Sequence, residues 1–359
     1  MNLRWMTLKR FSMSNTVVFL QKNRAEYYLT AILVPVLVLV CLCSLTMGRY
    51  AISLSDIFSV FYTKIFAVDL AIPANVETVL FKVRIPRIIA AVLVGASLSV
   101  SGASYQGLFR NPMVSPDILG ASAGAGFGAA LGILLSFGTV GIQLYSFLFG
   151  LGAVALAVVI SSAITRGNNV TLVLVLTGMV VSTLFSSFVS LIKYVADPYS
   201  KLPAITFWLM GSLSTASMKD VKMMLFPFLL GVVPLMLLRW KLNVLSFGEE
   251  EAKTMGVETA KLRMAVIICS TLLTAGSVSV CGIIGWIGLV IPHFARMLAG
   301  PNYKILLPVS LLFGSIFLII VDTVARSAFP LEIPLGILTS LVGAPFFIYL
   351  LFKGKRGWL

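Results

Sequence analysis

R-W-K-L-N-V-L-S-F-G-E-E-E-A-K-T-M-G-V-E-T-A-K-L-R, residues 239–263, is a polar island between two apolar runs, 221–238 and 264–281. It holds Glu249, Glu250, Glu251 and Glu258 in a chain with only 13 acidic residues. The spacing predicts a short helix. Ser246, three residues before Glu249, reads as a capping box in which each side chain satisfies the other's free backbone N–H. Gly256 reads as the helix stop. Leu245, Phe247, Ala252 and Met255 are expected to share a small apolar face. An ordered polar loop between membrane-length runs implies a surface offered to a soluble partner. A solvated connector with ordinary caps is the plainer alternative.

The rest of the chain supports the membrane reading. Hydrophobic residues make up 59% of the 359 and charged residues 11%, against about 25% charged in soluble domains. The first 27 residues are polar and basic, with Arg4, Lys9, Arg10, Lys22 and Arg24, and run into an apolar stretch too long for a signal-peptide core. That start is expected to be a signal-anchor. Cys41, Cys43, Cys269 and Cys281 all lie in apolar runs without zinc or redox spacing, so neither metal nor disulfide is expected. The net charge of +14 suits loops facing anionic lipid better than nucleic acid.

A spanning helix needs about 20 mainly apolar residues. Ten segments qualify: 28–48, 88–108, 118–137, 140–164, 170–192, 221–238, 264–281, 282–299, 305–325 and 333–352. The run 264–299 is too long for one crossing. Dividing it puts Lys261, Arg263, Arg296 and Lys304 on one side. Ten crossings place both termini on that side as well, and most lysines and arginines with them, so the positive-inside rule makes it cytoplasmic. Arg49, Lys64, Lys82, Arg84 and Arg87, outside, moderate the bias. The expected fold is all-α. It has a cytoplasmic segment 1–27, one transmembrane domain 28–352 carrying the loop 239–263, and a cytoplasmic tail 353–359.

Within the spans, Gly120, Gly124, Gly128 and Gly132 recur every four residues, a stripe that lets another backbone approach closely. Gly178, Ser182, Ser186 and Ser190 do the same in the fifth span. This small, hydroxyl-bearing stripe either lines a weakly polar path or bonds its own helix carbonyls. Ionisable groups are nearly absent from span interiors. Asp322 and Arg326 form an i,i+4 pair near an outer end. His293, the one histidine, reads as packed or interfacial. No acid–histidine relay for protons is present, and no paired carboxylates, H-E-x-x-H or nucleophile–base set lies at membrane depth, which weighs against a proton-driven carrier and an intramembrane enzyme.

Seven stretches resemble, in order and spacing, the FecCD (BtuC-like) permeases of bacterial ABC importers for iron-siderophores, haem and vitamin B12. They are K-V-R-I-P-R (82–87), S-G-A-S-Y-Q-G-L-F-R-N-P (101–112), P-D-I-L-G-A-S-A-G-A-G (116–126), F-W-L-M-G-S-L (207–213), L-S-F-G-E-E-E-A-K-T-M-G (245–256), G-I-I-G-W-I-G-L-V-I-P-H-F-A-R (282–296) and L-V-G-A-P-F-F (341–347). The resemblance implies a type II importer fold, a homodimer or pseudo-dimer of permeases, two cytoplasmic ATPases and one external binding protein. The chain has no G-x-x-x-x-G-K-[ST], so ATP and Mg would reside on the partner ATPase and this chain would be no enzyme.

By position, the resemblance makes Leu245, Ser246, Phe247, Gly248, Glu249, Glu250, Glu251, Met255 and Gly256 the ATPase-coupling element. It makes Arg84, Arg87 and Arg326 the docking points for acidic residues of the binding protein. Asn111 and Met113, with Asn169 and Thr171, fall at the cytoplasmic constrictions of the path, beside the Ser182–Ser186–Ser190 stripe. Ferric siderophore is the expected substrate. Haem, corrinoid and oxyanion stay open at this level, and a secondary transporter or channel is the alternative from another class. The expected location is a bacterial or archaeal cell membrane.

Overall fold

The computed structural model describes residues 28–66, 74–165, 170–328 and 330–354, and these residues form no strand. The segments 1–27 and 355–359, and Asn169, lie outside the described residues. The helices in chain order are α1 (Tyr28–Thr46), α2 (Leu54–Phe66), α3 (Ala74–Thr78) and, after a π-helical stretch Val79–Arg84, α4 (Ile85–Leu108). There follow a 3₁₀ turn Pro116–Leu119, α5 (Ala121–Leu134), α6 (Thr139–Ile164), α7 (Val170–Val195), α8 (Lys201–Leu209) and α9 (Met218–Leu245). The chain closes with α10 (Glu249–Thr254), α11 (Thr259–Cys281), α12 (Ile287–Ala299), α13 (Tyr303–Ser327) and α14 (Leu335–Gly354).

Each of the ten apolar segments falls on a helix, and among the described residues α1, α6, α7, α9, α11 and α13 stand out as long and apolar enough to cross a bilayer. α5 and α12 are short because part of each segment is not α-helical. Before α5 the chain makes the 3₁₀ turn and passes Gly120 at φ +89°. Before α12 it runs through 282–286, with Gly282 and Trp286 both at φ +71°. Open backbone inside a membrane survives only where protein satisfies it. Near this break Ser212 N–H donates to Cys281 O at 2.8 Å, Leu335 N–H to Gly211 O at 2.8 Å and Gly336 N–H to Met210 O at 3.1 Å.

α4 is the central column. It is buried along nearly its whole length and touches α9, α11, α12 and α13. Its serines and glycines explain its position, because small side chains let neighbouring helices close on it. Gly95 faces Gly314 of α13, and Gly102 faces Gly288 of α12, so closely that a methyl on any of the four would overlap the opposing backbone. The α5 stripe divides. Gly124, Gly128 and Gly132 seat α5 against α6 at Phe149, Tyr145 and Ile142, as packing predicts, whereas Gly120 sits at the helix start beside Ser182 of α7.

Candidate functional site

The polar island folds as a compact hairpin between α9 and α11. Its start differs from the expected capping box. Ser246 belongs to the end of α9, its Oγ donating to Asn243 O at 2.6 Å, so it is unavailable to cap α10. Gly248, at φ +138°, starts α10 instead, and a Cβ there would collide with the Glu251 carboxylate. Glu249 turns the other way and pairs with Arg263 of α11. The stop is as predicted. Gly256 takes φ +80°, its N–H bonds Lys253 O at 2.9 Å, and Val257 N–H reaches Ala252 O at 2.9 Å, a Schellman closure.

The expected apolar face also divides, because the loop has a side toward the bundle and a side away from it. Leu245 and Ala252 are buried, whereas Phe247 and Met255 are 70% and 54% exposed. Glu250 holds Lys253 at 2.9 Å and Glu258 holds Lys261 at 2.6 Å. The hydrogen bond from Lys253 to Glu250, together with that carboxylate's charge, raises the ammonium pKa above its usual value. Beside α10 lies a cleft of about 700 Å³, walled by Phe109 and Arg110 after α4, Thr171 at the start of α7, Glu249 and Glu251, and Arg263.

Thr171 lines the cleft. Asn111 and Met113 are exposed on the loop just beyond Arg110, where Asn111 Oδ1 accepts Met113 N–H at 2.9 Å. Arg110 itself adopts φ +51°, with Asn111 N–H bonded to Gln106 O at 3.2 Å and Arg110 N–H to Gly107 O at 3.3 Å, closing α4 as a glycine would. On α7, Gly178 packs on Ile118 and Leu119, and Ser182 is half-buried by Gly120. Ser186 and Ser190 are exposed, and Ser190 Oγ bonds Ser186 O at 3.0 Å. Ser190 therefore bonds its own helix carbonyl, as the second account of the stripe expects.

The three arginines expected to reach outward are buried instead, at 3% (Arg84), 4% (Arg87) and 6% (Arg326) exposure. Arg87 Nε donates to both oxygens of Asp322 at 3.0 Å, and its Nη1 donates to Glu332 Oε1 at 3.1 Å. Arg326 is 3.8 Å from Asp322 and turns inward, donating to Ser44 O at 2.5 Å and Ser44 Oγ at 2.7 Å. Arg84 donates to the carbonyls of Leu45 and Tyr50. The guanidiniums therefore knit the end of α1, the start of α4 and the end of α13 together, where the sequence reading expects them to point outward. The reason is the carbonyl-rich turn after α1, which supplies acceptors that Asp322 alone cannot. Glu332 and Ser44 carry no sequence signal for these roles because each is far in number from the arginine it binds, 245 positions from Arg87 and 282 from Arg326.

Other polar contacts were also invisible in the sequence. Arg296 Nη2 bonds Gln106 Oε1 at 2.9 Å, Gln143 Nε2 bonds Asp220 Oδ1 at 2.7 Å, and Ser122 donates to Asp117. Among the described residues no three His, Cys, Asp or Glu side chains gather as metal ligands. A second, apolar cleft of about 650 Å³ opens between Leu209–Met210, Ile283, Gly285 and the α14 residues Ile337 and Leu341.

Comparison with known proteins fits this geometry. Residues 36–353 match the model of the FecCD transport family. The chain is 44% identical over 321 residues to the molybdate import system permease protein MolB of Haemophilus influenzae, covering 89% of this chain and 94% of that one. It is 39% identical over 281 residues to the cobalamin import system permease protein BtuC of Halobacterium salinarum, covering 78% and 75%. A solved structure of a metal-chelate type ABC transporter in an inward-facing conformation superposes with a TM-score of 0.81 at 42% identity, over 90% of this chain and 98% of that one. The all-helical bundle, the polar hairpin and these matches agree, and the chain belongs to the FecCD transport family as a multi-pass permease subunit of an ABC transporter.

Proposed function

We propose that this permease forms the translocation path for a metal chelate of the ferric-siderophore class, as one half of a homodimer. Two ATPase subunits engage the α10 face and an external binding protein engages the opposite face. ATP and Mg stay on the ATPases, both termini are cytoplasmic, and the membrane is that of a bacterial or archaeal cell. The observation that carries the substrate class is the apolar cleft between α8, the 282–286 break and α14. Its volume is in the range of about 300–1,000 Å³ typical of small-molecule sites, and Ser340 is the hydroxyl among its aliphatic walls. A chelate presents a shielded, bulky surface that such a wall passes without holding. Among the lining side chains a bare oxyanion meets only the Ser340 hydroxyl, whose proton is already given to Gly336 O at 2.6 Å, so its water is not replaced.

A molybdate-type oxyanion is the second reading, favoured by the 44% identity to a molybdate permease. The coupling role of α10 rests on the exposed Phe247 and Met255 at its two ends, beside a cleft lined by acids and bases. The test is uptake into proteoliposomes holding the permease, its ATPase and its binding protein. ATP-dependent accumulation of radiolabelled ferric siderophore, unaffected by excess molybdate, supports the chelate. Accumulation of molybdate without the chelate overturns it.

A further inference from the structure

α2 has three distinct flanks. Its start is fixed by a reciprocal cap, Asp56 N–H to Ser53 Oγ at 3.1 Å and Ser53 N–H to Asp56 Oδ2 at 3.3 Å. One flank, with Ile57, Val60 and Phe61, closes a small core over Leu45, Val76 and Leu80, which lie at the end of α1 and the approach to α4. A second, with Ser55, Asp56 and Ser59, is polar. The third carries Leu54, Phe58, Tyr62 and Ile65, spaced i, i+4, i+8 and i+11 on one side of the helix. This flank is uncovered. Phe58 and Ile65 are 73% and 71% exposed, and Phe66 at the helix end is exposed as well.

A helix whose apolar arc is half covered by its own protein and half bare, with a serine-rich back, is the pattern of a helix lying in a membrane interface. Three further observations name the occupant. The exposed apolar run continues through the chain from Leu39 and Leu42 on the spanning helix α1, through Met47 and Tyr50, into Leu54 and Phe58. Lys64, four residues from Val60 on the core side of the helix, is held by Glu77 at 2.9 Å and stands 3.9 Å over the Phe81 ring, so the helix's cation is drawn away from the bare flank, which carries no charge. Finally, the core beneath α2 is drawn from the end of α1 and the approach to α4, so α2 lies against the end of a spanning helix.

We propose that α2 is an interfacial helix, its Leu54–Phe58–Tyr62–Ile65 flank seated in the headgroup–acyl boundary of the leaflet at the outer end of α1. The placement depends on depth alone and stands whichever substrate is carried. It predicts that the leaflet supports the turn that feeds carbonyls to Arg84 and Arg326.

The test uses the full chain in nanodiscs of phosphatidylcholine and phosphatidylglycerol, without binding protein. In a background with Cys41, Cys43, Cys269 and Cys281 replaced, single cysteines at Phe58, Tyr62, Ile65, Ser55 and Ser59 carry a nitroxide label. Collision rates with oxygen, which partitions into lipid, and with a water-soluble nickel chelate are compared. The expected result is a high oxygen-to-nickel ratio at 58, 62 and 65, shifting to a low ratio at 55 and 59. Nickel access at 58, 62 and 65 equal to that at 55 places the flank in water and overturns the proposal. Protection of 58, 62 and 65 from both reagents places protein over the flank and overturns it too.

Discussion

Asp322→Ala removes the anion from a site where Arg87 and Asp322 side chains are 5% and 2% exposed. Arg87 loses its contacts to both carboxylate oxygens, at 2.9–3.0 Å. It retains Glu332, whose side chain is 30% exposed, while Arg326 loses its only nearby acid within the helix. Breaking a buried pair by deleting one partner lowers stability by about 3–5 kcal/mol, or roughly two to four decades in the folded-to-unfolded ratio at about 1.4 kcal/mol per decade. Denaturant titration in mixed micelles reads this directly. Arg87→Leu combined with Asp322→Leu should recover most of the loss, because a well-packed apolar pair replaces a buried ion pair at little net change. A loss below about 1 kcal/mol in the single variant, the level of exposed pairs such as Lys64–Glu77, would refute the buried-latch account. Full stability with lost stimulation by a binding protein would return these arginines to a docking role.

Gly248→Val forces a β-branched residue to φ +138° against Glu251; with strain of about 1–3 kcal/mol, the chain should insert but hydrolyse ATP without uptake in proteoliposomes. Phe247→Ser with Met255→Ser, both exposed, should leave thermal stability within about 0.5 kcal/mol and lose co-purification of the ATPase. Single cysteines at Ser186 and Ser190 should react with water-soluble thiol reagents in a nucleotide-dependent way, and Ser182→Cys should react more slowly because Gly120 shields it. Uniform protection at all three would make the whole stripe packing. Asp197 accepts from Ser200 Oγ at 2.6 Å and from Ser200 N–H at 2.7 Å, and these bonds hold its pKa below the usual carboxylate value. Its stabilisation is therefore complete above about pH 3.9, the unfolded value, and is lost as pH falls through the lower folded value. The melting difference between the natural chain and Asp197→Asn should vanish there and hold steady from pH 5 to 8.

The long helices were legible because hydropathy and length suffice: 140–164, 170–192 and 305–325 fall within α6, α7 and α13. The truncation of α5 and α12 was not, since apolar residues look alike in a helix and in a buried extended stretch such as 282–286. The polar hairpin and its glycine stop could be read locally. Its cap could not, because α9 runs to Leu245 and claims Ser246 for its own last turn. The arginine cluster lay furthest from view. Asp322 is four residues from Arg326, but it binds Arg87 most tightly, 235 positions away, and the carbonyls that take Arg84 carry no side-chain signature.

Where two backbones touch with no side chain between them, no rotamer change can absorb a relative slip. α4 meets α13 and α12 in this way, at Gly95–Gly314 and Gly102–Gly288, and the three behave as one stiff block. α9 is softer, having lost two backbone rungs at Pro227 and Pro234, where α12 and α13 each lose one, at Pro292 and Pro308. A thrust applied at α10 is poorly carried by that yielding shaft. α11 has no proline, is clamped to α10 through Arg263 and Glu249, and lies along α4. If the ATPases seat on α10 as proposed, the load path into the stiff block runs up α11, with Arg263 the joint at which that stroke enters the bundle.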